Sequence, residues 1–146
     1  MTAADLIKKS QLELDDLFKA SPAGDIPDGQ AKGTAIIAPG TVFSPEIAEM
    51  VNLFAWQGKN FDSKAGRLTN RISILGLNAI IAKVYKTESW LDGKECIVLD
   101  YSETSMVAHW IRDEIRMIAP KFYLGKVYWK KSRLIDFCLD FNAPSA

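Results

Sequence analysis

The sequence predicts a mainly β protein, an antiparallel barrel closed or nearly closed, with two N-terminal helices. Three observations carry this prediction. After Gly58, apolar residues alternate with polar ones and do not recur at helical spacing. An Asp92-Gly93 pair, a strong hairpin signal, separates two such runs. Helical periodicity with clear start signals belongs to residues 1–57, which form a helical N-terminal part containing one short strand.

Taken in order, Leu6, Ile7, Leu14, Leu17 and Phe18 recur at helical spacing with Lys and Asp between them. Thr2 or Asp5 caps the start, and Ser21-Pro22-Ala23-Gly24 stops the helix. A loop rich in Pro, Gly and Asp follows. Gly33-Thr34-Ala35-Ile36-Ile37-Ala38 is then a short β-prone run ended by Pro39-Gly40. Ser44-Pro45-Glu46 starts a second helix, combining a capping hydroxyl, a proline at the first helical position and an acid near the positive end. Ile47, Met50, Val51 and Phe54 line one face of that helix, which ends around Trp56 to Gly58.

Residues 67–73 alternate, with Leu68, Asn70 and Ile72 on one face. Residues 78–86 and 94–101 flank the Asp92-Gly93 turn. Residues 121–130 and 133–141 make a last hairpin, with Ile135, Phe137, Leu139 and Phe141 on one face. Met106–Ile118 fits two readings. As a strand it turns Val107, His109, Ile111, Asp113, Ile115 and Met117 inward, with Trp110, Arg112, Glu114 and Arg116 outward. As a helix, Val107, Trp110, Ile111, Ile115 and Ile118 form a stripe. The neighbouring hairpins favour the strand. A sheet of this extent has to close or be covered to remove its edges. The alternative architecture is an α+β cone, a curved sheet wrapped on the N-terminal helices.

The chain of 146 residues is expected to form one domain. Its eighteen basic residues match its eighteen acidic ones, so it has no surplus of Lys and Arg with which to displace counterions, and nucleic acid is not an expected partner. The local run Lys126, Lys130, Lys131 and Arg133 reads as a solvated hairpin end. Cys96 and Cys138 make neither a disulfide framework nor a tetrahedral metal site, and are expected as free thiols in a reducing compartment. The N-terminus has no uninterrupted apolar run, and no stretch approaches the roughly 18 apolar residues of a membrane span. A cytoplasmic location is the expectation. One histidine cannot build a typical zinc site. There is no serine elbow, P-loop or dinucleotide fingerprint, and no cofactor is expected.

The order of motifs resembles the bacterial proteins of unknown function that carry a G-x-W-x-G motif. Trp56-x-Gly58-Lys59-x-Phe61-Asp62-Ser63 follows a short helix, as their W-x-G-K-x-F segment does. Tyr101, Asp113-Glu114-Ile115-Arg116, Leu124-Gly125 and Phe137-Cys138-Leu139 then fall in the family's order of tyrosine, D-x-F-R, Leu-Gly and F-x-L. The first glycine strand departs from the pattern: it lacks the tryptophan, and its second glycine is Gly40. The resemblance spans roughly residues 14–141 and implies a lipocalin-like (calycin-type) barrel with no established activity. In such a barrel Trp56 plugs the floor or meets a ligand.

Asp113 and His109 are the candidate catalytic pair. On the strand reading they lie four residues apart on one apolar face, where a carboxylate is costly unless paired, and a histidine titrates near neutral pH. The competing reading pairs Asp113 with Arg116, Arg112 or a tyrosine. Asn70, Lys83, Tyr85, Tyr101, Arg116 and Trp56 are the candidate ligand-binding residues. Lys83 and Tyr85 share a face with Ile81. Asp100 lies with Cys96 and Val98, and Tyr101 with Ile97 and Leu99, and the alternation does not say which of these two faces is interior. A lysine inside would have a lowered pKa, whereas one at the rim would snorkel.

Two functions fit these residues. One is a barrel that binds a small apolar or amphipathic molecule such as a lipid, isoprenoid or polyketide-like compound. The other is a proton-transfer enzyme, an isomerase or cyclase, that uses Asp113 and His109 in the same pocket. Exposed Trp110 and Trp129 on charged faces would add a partner surface, in the simplest case a homodimer.

Overall fold

The computed structural model describes residues 1–41, 44, 45, 47, 56–72, 77–104 and 109–142; for 56–58, 70–72 and 77–80 it describes the backbone alone. Two short helices, α1 (Ala3–Ile7) and α2 (Gln11–Ala20), precede eight strands. The strands are β1 (Gly29–Ile36), β2 (Trp56–Asp62), β3 (Arg67–Ile72), β4 (Leu77–Glu88), β5 (Glu95–Asp100), β6 (Ile111–Ala119), β7 (Phe122–Trp129) and β8 (Ser132–Asp140). Each pairs antiparallel with the next, and β1 pairs with β8 to close a barrel. This closure excludes the cone alternative.

The helix expected from Leu6 to Phe18 is two helices. Thr2 and Asp5 form a capping box at α1, and Ser10 and Glu13 form a second one that starts α2. The Ser10 hydroxyl accepts from Glu13 N–H at 3.1 Å while Glu13 accepts from Ser10 N–H at 3.1 Å. Ser10 therefore has non-helical dihedrals and breaks the run. The helix expected from Ser44 lies mostly outside the described residues, although Ser44 does accept from Ile47 N–H at 3.2 Å.

Alternation gives the barrel two buried faces. The interior is formed by Ala31, Phe61, Leu68, Ala82, Val84, Ile97, Leu99, Ile111, Ile115, Val127, Ile135, Phe137 and Leu139, among others. Gly125 makes room for Phe137: a Cβ at Gly125 would stand 2.2 Å from the Phe137 ring. The opposite face of β1, β5, β7 and β8 carries Ile36, Cys96, Val98, Phe122, Leu124 and Cys138, and Leu6, Leu14 and Phe18 of the helices cover it. Burial pushes the Cys96 thiol up to about 12 and the Cys138 thiol up to about 11, so both are inert packing groups.

The two ends of the barrel differ. Residues 22–28 pass over the end that carries the β2–β3, β4–β5 and β6–β7 turns, and Ala23 and Ile26 pack on the interior cluster. Met117 N–H donates to Pro22 O at 3.1 Å, and Tyr123 O–H donates to Asp25 O at 2.6 Å. Gly24 is required here. Its φ is +74°, and a Cβ would meet the Met117 Cβ at 2.6 Å. The other end carries the β1–β2, β3–β4, β5–β6 and β7–β8 connections.

Candidate functional site

The β6 alternation turns Ile111, Asp113 and Ile115 inward. In β5 the interior face is that of Ile97 and Leu99, and Tyr101 follows it at the strand end. Lys59 comes from β2, two residues before inward Phe61, and lies beside Ala31 in the β1 register. Three polar side chains therefore meet inside an apolar wall. All are buried: Lys59 is 3%, Tyr101 0% and Asp113 2% exposed.

The Lys59 ammonium donates to the Tyr101 hydroxyl oxygen at 2.8 Å. The Tyr101 hydroxyl points its proton at Asp113 Oδ2 over 3.4 Å, and Lys59 Nζ is also 3.4 Å from that oxygen. These separations are longer than the ~2.7–2.9 Å of a tight charge-assisted bond. Asp113 Oδ1 is buried with no hydrogen-bond partner. Lys59 Nζ also lies 5.6 Å from the Tyr101 ring centroid and 5.7 Å from that of Phe137. Burial pushes the Asp113 carboxyl above its ordinary range, against the pull of Lys59. Burial pushes the Lys59 amine down, against the pull of Asp113. Both shifts favour a neutral amine beside a neutral acid.

The expected pair of Asp113 and His109 does not form. The strand starts at Ile111, and His109 is exposed in the preceding turn, with its ring 4.2 Å from that of Trp110. Asp113 takes Lys59 and Tyr101 as its partners instead. Alternation cannot be extended past the end of a strand. Trp110 and Trp129 are half-buried against the interior cluster with ring centroids 5.5 Å apart, which removes the exposed-tryptophan argument for a homodimer. The Trp110 indole N–H is buried without an acceptor.

Lys83 and Tyr85 point outward and are exposed. Lys83 pairs with Glu103, and the Tyr85 hydroxyl donates to Asp100 at 2.7 Å. The inward residues of β4 are Ala82 and Val84. Asn70 pairs through its backbone with Lys59 and Ala79, and Trp56 with Ile72; the side chains of both lie outside the described residues.

Arg116 is outward, as expected, but is 1% exposed because α2 and the β4–β5 turn cover it. Its guanidinium donates to Asp92 through two bonds of 2.7 Å and to the carbonyls of Phe18, Lys94 and Glu95 at 3.0 Å each. All five N–H donors are engaged, so Arg116 is a clamp and has no donor left for a ligand. Lys126 is not a solvated hairpin end. It lies on the covered outer face, paired with Asp136 at 2.6 Å and Asp15 at 2.7 Å.

Lys59 is the interior residue that sequence reasoning missed. Its spacing from Phe61 was a usable signal, since an apolar residue two positions on places a lysine on the same face. A separate open cleft of about 280 Å³ lies at the opposite end, between Asp25, Asp28, Met117, Lys121 and Tyr123. None of the expected site residues lines it. Among the described residues, no cluster of His, Cys, Asp and Glu is arranged to hold a metal ion, and no helix is long and apolar enough to cross a membrane.

No protein-family model and no curated protein matches the chain, so the resemblance to the G-x-W-x-G proteins rests on motif order. A solved structure does match: a protein from Thermomonospora curvata aligns with a TM-score of 0.66 at 15% identity, covering 96% of this chain and 95% of that one. At that identity the match speaks for the fold alone.

Proposed function

We propose that this chain is a binding barrel for a small, neutral, mostly apolar molecule whose polar end meets Lys59, Tyr101 and Asp113. The observation that carries the reading is Asp113 Oδ1, a buried acceptor without a donor inside an apolar wall. Leaving such a group unpaired costs about 1–3 kcal/mol, and more for a charged one. A ligand hydroxyl or N–H would remove that cost. The formal charges of Lys59 and Asp113 cancel, so a charged head group would add an uncompensated charge to a low-dielectric interior. This favours isoprenoid or polyketide-like alcohols, amides and carbonyl compounds over free fatty acids. A barrel of eight strands is wide enough either to be filled by side chains or to hold one small ligand.

Kinship with the lipocalin-like (calycin) barrels and a cytoplasmic location belong to the same proposal, the second supported by two free, buried thiols. The test is native mass spectrometry of freshly purified protein beside a Lys59→Met/Asp113→Leu variant. A stoichiometric small molecule in the first and none in the second is expected. A molecule held equally by both would place binding elsewhere and overturn the reading.

A second reading, proton transfer, survives the loss of His109 because burial raises the Asp113 pKa toward that of a general base. Lys59 and Tyr101 would then donate to the developing oxyanion. Turnover of a bound ketone that Asp113→Asn abolishes, with binding retained, separates this reading from binding alone.

A further inference from the structure

The lysine in this cluster has chemistry that simple binding leaves unused. We infer that Lys59 is a nucleophile that condenses with the carbonyl carbon of an apolar aldehyde or ketone, with Asp113 as the counter-ion of the resulting iminium and Tyr101 as a proton-donating neighbour. The inference rests on the reading of the interior as a ligand site and names the ligand's polar end.

Four observations lead to it. Lys59 is buried in an apolar interior, which shifts its amine toward the neutral, nucleophilic form. A phenol oxygen stands 2.8 Å from its Nζ, and a carboxylate oxygen 3.4 Å. The carboxylate's second oxygen, Asp113 Oδ1, has no donor. Tyr101 and Asp113 both lie at the barrel end that residues 22–28 do not cover, Tyr101 just after β5 and Asp113 three residues into β6. The outer-face lysine provides a contrast. Lys126 is gripped by two carboxylates at 2.6 and 2.7 Å, which holds its charge in place.

The chemistry balances within the cluster. The lone pair of Nζ forms the C–N bond while the carbonyl π pair moves onto oxygen, which takes a proton from Asp113 directly or through Tyr101. A proton leaves nitrogen for the carboxylate, giving a neutral carbinolamine. Asp113 then protonates the hydroxyl, water departs, and the nitrogen lone pair closes the C=N bond. The products are one water, an iminium on Lys59 and a carboxylate at Asp113. The iminium N–H supplies the donor that Oδ1 lacks.

The experiment uses the full chain, decanal and cyanoborohydride at neutral pH, followed by peptide mapping by mass spectrometry. A reduced secondary-amine adduct should form at Lys59 faster than at exposed Lys94, because burial raises the neutral fraction of the Lys59 amine. Lys59→Arg should lose the adduct, and Tyr101→Phe should slow its formation at saturating decanal. Displacement of a solvatochromic apolar dye is followed in parallel. Displacement by decanal without a preferred Lys59 adduct overturns the inference and leaves binding intact. A dye that neither binds nor is displaced overturns the binding reading as well.

Discussion

The two faces of this barrel bury charge in different ways. On the outer face beneath the helices, Arg116 has a partner for each of its five donors, and Lys126 has two carboxylates. Glu114, fully buried, accepts from the Ser89 hydroxyl at 2.6 Å, from Trp90 N–H at 2.8 Å and from Arg112 at 3.0 Å. Those groups tie α2 and the β4–β5 turn to the sheet. Among the described residues the interior has one lysine–carboxylate pair, at 3.4 Å, with one carboxylate oxygen unpartnered. It spans the interior from β2 to β6, strands that are not neighbours in the sheet. Asp136 Oδ1 on the outer face is unpartnered as well, so the contrast lies in grip: pairs at 2.6 and 2.7 Å hold the covered elements, whereas a pair at 3.4 Å is loose enough to admit a ligand's polar end.

Breaking the outer clamp tests the first half most severely. Arg116→Leu should cost about 3–5 kcal/mol in denaturant unfolding, because it leaves Asp92 and three backbone carbonyls without their donor. A loss below 1 kcal/mol, roughly that of a surface pair, would contradict the clamp. Packing inside comes next. Gly125→Ala drives a methyl into the Phe137 ring and should cost about 1–3 kcal/mol, less if Phe137 has space in which to move. A near-zero cost would thus reveal free interior volume beside Lys59.

A smaller effect concerns acid. The Arg116 guanidinium holds the Asp92 carboxyl below its ordinary 3.8. A lowered folded pKa means that the folded state binds its proton less readily than the unfolded chain does. The stabilisation is therefore present above 3.8 and lost as pH falls through the lower folded value. Thermal melts between about pH 5 and pH 2 should show a shallower acid loss in Arg116→Leu than in the wild type. Equal slopes would remove the linkage. The smallest stability change belongs to the inner pair. Lys59→Met/Asp113→Leu should be near neutral, since a well-packed apolar pair often replaces a buried ion pair without loss. A large loss would make the triad structural.

Much of the fold was legible. Alternation along residues 67–73 and 133–141, with the Asp92-Gly93 turn, located strands that the structure contains. Asp113 and Tyr101 were identified as candidates because a carboxylate and a phenol recur among apolar neighbours. Four things were not legible. Ser10 resembles any polar helix residue until its capping geometry is seen. Arg116 and Lys126 sit on the polar side of their strands, and sequence alone does not say that α2 will cover that side. His109 failed for a local reason, since the strand began two residues after it. Lys59 was hidden in a strand with few apolar residues, where its register is weakly marked.

The pairing of β1 with β8 has a consequence for biosynthesis. The helices and the first strand leave the ribosome before the other strands, yet their partners on β7 and β8 emerge after all of these. Throughout translation Leu14, Phe18 and the edge of β1 lack their native cover, and neither hairpins nor local turns can supply it. The nascent chain therefore carries an unpaired strand edge until β8 is made, a period in which edge-to-edge association competes with closure. Chains truncated before Asp140 should accordingly aggregate rather than fold into smaller barrels.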